Sequence, residues 1–383
     1  MSLSEAHENL HKRLVSYRRE LHENPELSFK EYKTTKRISQ WLRDAGIDIL
    51  DYNLETGVVA EIVGDKPGPT IALRADIDAL PIQEQTGLPY DSKNSGVMHA
   101  CGHDFHTASM IGAAMILKEH RADIKGKVRI IFQPAEEIAK GAEVIAKQGV
   151  LDDVKFIFGM HNKPDLSVGT IGIKSGALMA SVDRFEIDVI GTGGHAGMPD
   201  NGIDPIVTAS QIVTSLQSIV SRNLSSFSNV VISITRIQSG NTWNVIPDKA
   251  ELEGTVRTFQ SEDRSKIPDL MKRTVEGIAL AYGAKIAFRW FPYLPVVDND
   301  PRFNKIATEA ATELGYTVVE AEKSPAGEDF AFYQNKIPGF FVWMGVDGVN
   351  DWHHPSYNIN EEALIVAAKY FSNLAVKVLS QWQ

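Results

Sequence analysis

The sequence predicts an α/β protein in which one domain interrupts another. Three observations carry this expectation. At 383 residues the chain exceeds what a single hydrophobic core usually supports. Short apolar runs alternate with helical patterns through the first half, as in a largely parallel sheet covered by helices. After Gly176 the strands instead alternate polar and apolar residues, and the first pattern resumes near Tyr293.

Residues 4–23 place Leu10, Leu14, Val15, Tyr17 and Leu21 near helical spacing, and Asn24-Pro25-Glu26 ends that helix. A second helix is expected over 29–45, closed by Gly46. Strands are expected over 58–63 and 70–75, with Lys66-Pro67-Gly68-Pro69 as the turn between them. A helix over 105–119, a strand over 128–132, a short helix over 139–148 and a strand over 156–160 follow. Beyond Gly176 come a strand over 184–190, a Gly-rich loop from Gly191 to Gly197 and a helix over 203–220. Strands over 230–237 and 250–258, a helix over 263–282 and a strand over 285–290 complete a β-α-β-β-α-β order, that of a ferredoxin-like unit. The α/β pattern then closes with a helix over 300–314, a strand over 339–344 and a helix over 361–379. The expected domains are 1–177 with 293–383, and 178–292 inserted between them.

Composition excludes some partners. Lys and Arg number 39 against 49 Asp and Glu, a net charge of −10, which disfavours nucleic acid or an anionic membrane. No run approaches the roughly 18 consecutive apolar residues of a membrane helix. The N-terminus has no apolar segment typical of a signal peptide. The chain has 1 Cys, so it forms no internal disulfide, and a cytosolic location is expected.

That cysteine lies in His99-Ala100-Cys101-Gly102-His103-Asp104, where thiol and imidazole together suit zinc, manganese, cobalt or nickel. Placed just before a helix, Cys101 is expected to have its pKa lowered by the helix dipole and a metal. Other polar clusters sit at predicted strand ends: Asp76 and Asp78, Glu136-Glu137, His161, and His353-His354. In an open parallel sheet such ends line the ligand crevice. Each has a blander reading: a buried small hydrophobe for Cys101, a solvated helix start for the glutamates, Asx turns for the aspartates and loop positions for the histidines. Together, Cys101, His103, Glu137, His161 and His354 exceed the four donors of one tetrahedral zinc and suit two ions about 3.5–4 Å apart. Of the adjacent glutamates, one can bind metal while the other serves as a general base.

With these residues the sequence resembles the M20 metallopeptidase family, in its branch of hippurate and auxin-conjugate amidohydrolases. The resemblance runs almost end to end. It is carried by Arg18-Arg19-Glu20-Leu21-His22 with Asn24-Pro25-Glu26-Leu27, Arg74-Ala75-Asp76-Ile77-Asp78-Ala79-Leu80-Pro81 and the Cys101 segment. It continues through Gln133-Pro134-Ala135-Glu136-Glu137, Gly159-Met160-His161, Gly193-Gly194-His195-Ala196, Asn244-Val245-Ile246-Pro247, Gly327-Glu328-Asp329-Phe330 and His353-His354-Pro355.

The resemblance implies a zinc-peptidase-like catalytic domain with an inserted ferredoxin-like α+β lid that also forms a homodimer. It implies two divalent metal ions and hydrolysis of the amide of a small N-acyl amino acid, most often N-acetyl. The implied ligands are Cys101, His103, Glu137, His161 and His354, with Cys101 where many relatives place a bridging aspartate. Glu136 matches the general base, and Asp76 an acid that orients a metal ligand. Arg74 departs from a ligand histidine of the wider family, with His103 as its substitute. His195 is implied to reach a neighbouring subunit's site and stabilise the oxyanion, and Asn244 and Arg257 to hold the substrate carboxylate. The rival readings are a dinuclear dipeptidase or carboxypeptidase on the same site, and a metal-dependent binding protein without turnover.

Overall fold

The computed structural model describes residues 3–381. The chain forms two compact units. One comprises the chain up to Leu178 with Asp298–Glu322 and the segment from Asp329 onward; the other comprises Met179–Val297 with Lys323–Glu328. The second unit thus includes a short return segment beyond residue 292.

The first unit is built on an eight-stranded sheet. Its strands run in the order Asp48–Leu50, Val58–Val63, Lys125–Gln133, Lys66–Asp76, Val154–Lys163, Gly339–Gly345, Thr170–Ile173 and Thr317–Glu320. The four central strands, Lys125–Gln133 to Gly339–Gly345, are mutually parallel. Antiparallel pairings flank them on both sides, so the sheet is mixed rather than largely parallel. The chain passes from Lys66–Asp76 through helix His103–Glu119 to Lys125–Gln133 on one side. It later enters Val154–Lys163 on the other. That reversal opens a crevice at the carboxyl ends of these strands, the usual ligand position in open α/β sheets.

Helix His103–Glu119 is buried on nearly every face, because it lies among helices Leu3–Glu23 and Ala363–Gln381 and the central strands. Helix Ala363–Gln381 is long and apolar enough to cross a membrane by length and composition. Its Leu364, Tyr370, Phe371, Leu374 and Val378 instead belong to the core of this unit.

Lys66-Pro67-Gly68-Pro69, expected as a turn, begins the strand Lys66–Asp76. Lys66 pairs with Lys125, and a bulge separates that pair from Thr70 with Lys127. A Cβ on Gly68 would lie 2.4 Å from the Lys125 carbonyl oxygen, and one on Gly126 2.1 Å from that of Pro69. The glycines therefore permit a close pairing that local turn chemistry does not anticipate. The short strands Thr170–Ile173 and Thr317–Glu320 also escaped the periodicity reading.

The second unit carries a four-stranded antiparallel sheet in the order Val230–Ser239, Lys249–Thr258, Ser181–Ile190, Lys285–Leu294. Phe185, Ile187 and Val189 face a core shared with helices Pro205–Ser218 and Ser261–Tyr282. Arg184, Glu186 and Asp188, alternating with them, form ion pairs on the other face. The first helix is shorter than expected and passes into a π-helical turn, Ile219–Asn223.

Candidate metal centre

The strand ends of the first unit converge on one cluster, buried except at His353, whose side chain is about half exposed. Ligand atoms of Cys101, His103 and His161 lie within 4.8 Å of one another, as do those of Cys101, Glu137 and His353. Cys101 belongs to both groups, and His103 forms a third with Glu136 and Glu137.

The expected ligand His354 is not part of this cluster; its neighbour His353 is. His353 donates its backbone N–H to the Ala100 carbonyl at 2.8 Å, which sets it opposite Cys101, and its Nε2 lies 3.6 Å from Glu137 Oε2. His354 is exposed, and its Nδ1 accepts from the Ser356 N–H at 3.1 Å. His353 has a positive φ of 63°, and this local twist decides which of the two rings faces the cluster.

The hydrogen bonds fix which ring nitrogens are available. His103 Nδ1 faces two acceptors on Asp78, its carbonyl at 3.0 Å and Oδ1 at 3.2 Å, so Nδ1 carries the proton and Nε2 keeps a lone pair. His161 Nδ1 donates to the Asn162 carbonyl at 2.9 Å, which turns a bare Nε2 toward Cys101 Sγ at 3.3 Å. His106 is occupied differently. Its Nε2 accepts the Asn162 N–H at 2.9 Å, so Nδ1 donates to Asp76 Oδ1 at 2.6 Å and neither nitrogen is left for a metal.

Asp76 therefore orients His106, a non-ligand, and is held from the other side by Arg74 at 2.8 Å. Asp78, rather than Asp76, is the acid that accepts from His103 Nδ1. Arg74 is buried and also bonds Asp329 at 2.8 Å and Gln133 at 2.9 Å, so it is a strut between carboxylates rather than a ligand.

The chemistry of the cluster fits divalent metal. His103 Nε2 and Glu137 Oε1 are buried with no hydrogen-bond partner, an arrangement that is costly unless a cation takes them. Burial, with Asp76 and Asp78 nearby, raises Glu137 to about 7 against the pull of His103. Burial and the carboxylates of Glu137, Glu136 and Asp76 push the Cys101 thiol well above its usual range. This reverses the lowering expected from the helix dipole, so the thiolate depends on a metal cation. Burial, helped by His106, keeps His161 neutral far below its usual pKa, as a ligand imidazole must be.

Two further features shape the site. Gly102 has φ 84°, and a Cβ there would lie 2.5 Å from Asn162 Nδ2 and 2.8 Å from the Tyr357 hydroxyl, so only glycine fits between Cys101 and His103. Asn162 donates to the Cys101 carbonyl at 2.6 Å and accepts from Tyr357 at 2.6 Å and Trp352 at 3.0 Å, tying the Cys101 and His353 loops together. The Arg18 and His22 motif residues lie beneath this layer. Both bond Asp104 Oδ2, at 3.1 and 2.8 Å, and fasten the first turn of helix His103–Glu119.

The remaining expected site residues are in the second unit. His195 is exposed on a two-residue strand paired with Val245–Ile246, and its Nδ1 accepts from the Gly197 N–H at 3.0 Å. A neutral His195 therefore carries a donor Nε2–H. Asn244 is beside it, its carbonyl accepting from Ala196 at 3.1 Å. Half-buried Arg257 bonds Val256 O at 3.2 Å and the Thr255 hydroxyl, and among the described residues it makes no close ion pair, with Asp183 acting on it only through space.

Residues 72–377 match the peptidase family M20/M25/M40. The chain is 64% identical over 370 residues to an N-acetylcysteine deacetylase of Bacillus subtilis, covering 96% of this chain and 97% of that one. It is 43% identical to an N-acyl-L-amino acid amidohydrolase of Geobacillus stearothermophilus, covering 81% and 85%. It also resembles the crystal structure of a Bacillus subtilis dinuclear metal-binding peptidase of the M20 family, with a TM-score of 0.91 and 60% identity over 97% of this chain and 99% of that one.

Proposed function

The chain belongs to peptidase family M20/M25/M40 and is a metal-dependent amidohydrolase, and from that premise we propose how its residues hydrolyse the amide of an N-acyl amino acid. The observation that carries the reading is the pair of three-donor groups sharing Cys101, with Glu136 beside them. In this reading His103, His161, Glu137, His353 and the Cys101 thiolate would hold two divalent ions. Zinc, manganese, cobalt and nickel all suit that donor set. Metal held there would supply a more acidic water and a polarised amide carbonyl.

Glu136 takes the proton from that water and returns it to the leaving amine. Its Oε1 accepts from the Asp329 N–H at 3.3 Å, and its Oε2 lies 4.0 Å from His103 Nε2, which keeps the carboxylate aimed at the donors. His195 supplies its Nε2–H to the developing oxyanion. Asn244 and Arg257 receive the substrate carboxylate; the support for Arg257 is a half-buried guanidinium that makes no close ion pair among the described residues.

The second unit is proposed as a lid that also forms a homodimer. One side of its edge strand Val230–Ser239 is unpaired and exposes Val231 and Ile237 by more than half, and Trp243 is 92% exposed. Sedimentation at micromolar protein is expected to give a dimer, and a monomer there refutes this assignment. A cytoplasmic location completes the proposal, since a metal-binding thiolate favours a reducing compartment.

The acyl group proposed is acetyl, with N-acetylcysteine first among candidates because of the 64% identical relative. The test is amine release by manganese- or zinc-loaded protein from N-acetyl amino acids, hippurate and dipeptides. Chelator-sensitive release from the acyl amino acids is expected. Release from dipeptides alone replaces this reading with a peptidase, and no release from any of them overturns it.

A further inference from the structure

We propose that Glu31 and Asp78 are positioning residues that cast the turn bearing Glu136 and Glu137 by binding three successive backbone N–H groups. This inference rests on the amidohydrolase reading of the metal centre. Glu31 Oε1 accepts the Ala135 N–H at 2.9 Å. Asp78 Oδ1 accepts the Glu136 N–H at 3.1 Å, and its Oδ2 accepts that of Glu137 at 3.1 Å. Glu31 and Asp78 are both almost wholly buried.

The turn needs such support. It belongs to no helix or strand, and Ala135 and Ala139 sit at positive φ of 53° and 54°, a conformation that costs energy for residues with a Cβ. Adjacent residues must also do different work: both face His103, but Glu137 also faces Cys101 and His353, whereas Glu136 accepts the Asp329 N–H. A turn free to rotate about residue 135 would exchange or misdirect the two carboxylates. Carboxyl oxygens accepting from successive N–H groups remove that freedom.

Asp78 couples this turn to a ligand. The Oδ1 that takes the Glu136 N–H also faces His103 Nδ1, and Ser28 donates to Oδ2 at 2.7 Å. One carboxylate thus sets a histidine ligand and two backbone groups of the glutamate turn in one frame. Glu31 stands at the N-cap position of helix Tyr32–Asp44, where an acid is ordinarily read as satisfying the helix dipole, yet its side chain makes no capping hydrogen bond there.

The two residues separate in their expected effects. Glu31→Ala should lower kcat by roughly 10–100-fold per metal-loaded enzyme, with metal Kd and KM within about threefold of wild type, because only the Ala135 anchor is lost. Glu31→Gln keeps an acceptor oxygen and should restore kcat to within about threefold. Asp78→Asn, close to isosteric, should weaken metal binding by roughly 10–100-fold in chelator competition, because it alters the frame of His103.

A Glu31→Ala protein with unchanged kcat and a lowered melting temperature overturns the Glu31 assignment and leaves that residue a packing role. Unchanged metal affinity in Asp78→Asn overturns the Asp78 assignment, and it is read without turnover even if Glu31→Ala fails to fold. Wild-type protein that releases no amine from any acyl amino acid removes the hydrolase reading instead, a result distinct from either of these.

Discussion

Glu136→Gln is expected to bind its metal normally and lose at least about two orders of magnitude in kcat, as removal of a general base does. Gln has nearly the size of Glu and still accepts the Asp329 N–H, so the turn stays in place. It cannot take a proton from water near neutral pH. The ligand donors of Cys101, His103, Glu137, His161 and His353 are untouched, so metal content measured by elemental analysis should match wild type. KM should change little, because Glu136 acts on the water rather than on the substrate's recognition groups. Near-normal turnover in the metal-loaded variant would remove Glu136 from the role. Loss of metal with loss of turnover would instead make it a ligand.

The second large effect separates two neighbouring histidines. His353→Ala is expected to weaken metal binding by at least about tenfold and to lower activity at limiting metal, since it takes a donor from beside Cys101 and Glu137. His354→Ala should leave metal affinity within about threefold. It removes an exposed ring whose bond is an acceptor contact to the Ser356 N–H. Chelator competition on the two variants decides the matter, and equal effects, or the reverse order, would contradict the geometry. Because the residues are adjacent and alike in chemistry, a difference between them reports direction of the side chain alone.

The proposed metal centre was unevenly legible in the chain. Cys101, His103, Glu136, Glu137 and His161 could be singled out because reactive residue types fell at the ends of predicted strands, where an open sheet gathers ligands. The alternating pattern of 184–190 was equally readable, because one face of that strand packs on helices and the other meets water. The turn expected at Lys66-Pro67-Gly68-Pro69 went wrong because a neighbouring strand, with Gly126 opposite Gly68, pairs with a segment that in isolation reads as a breaker.

The sequence by itself determined the inventory: the donor types, their order along the chain and the alternation of strands and helices that brings them to one edge. Patterns of burial and chemistry are properties of local residues, so they survive without coordinates. Only the tertiary structure decided direction. It set His353 rather than His354 beside Cys101 and Glu137, put Asp78 rather than Asp76 against His103 Nδ1 and occupied both nitrogens of His106. It also raised the Cys101 thiol where the helix start alone would lower it. Each of these depends on which atoms from distant segments meet across a few ångströms in a medium of low dielectric, where partners and desolvation outweigh local propensity.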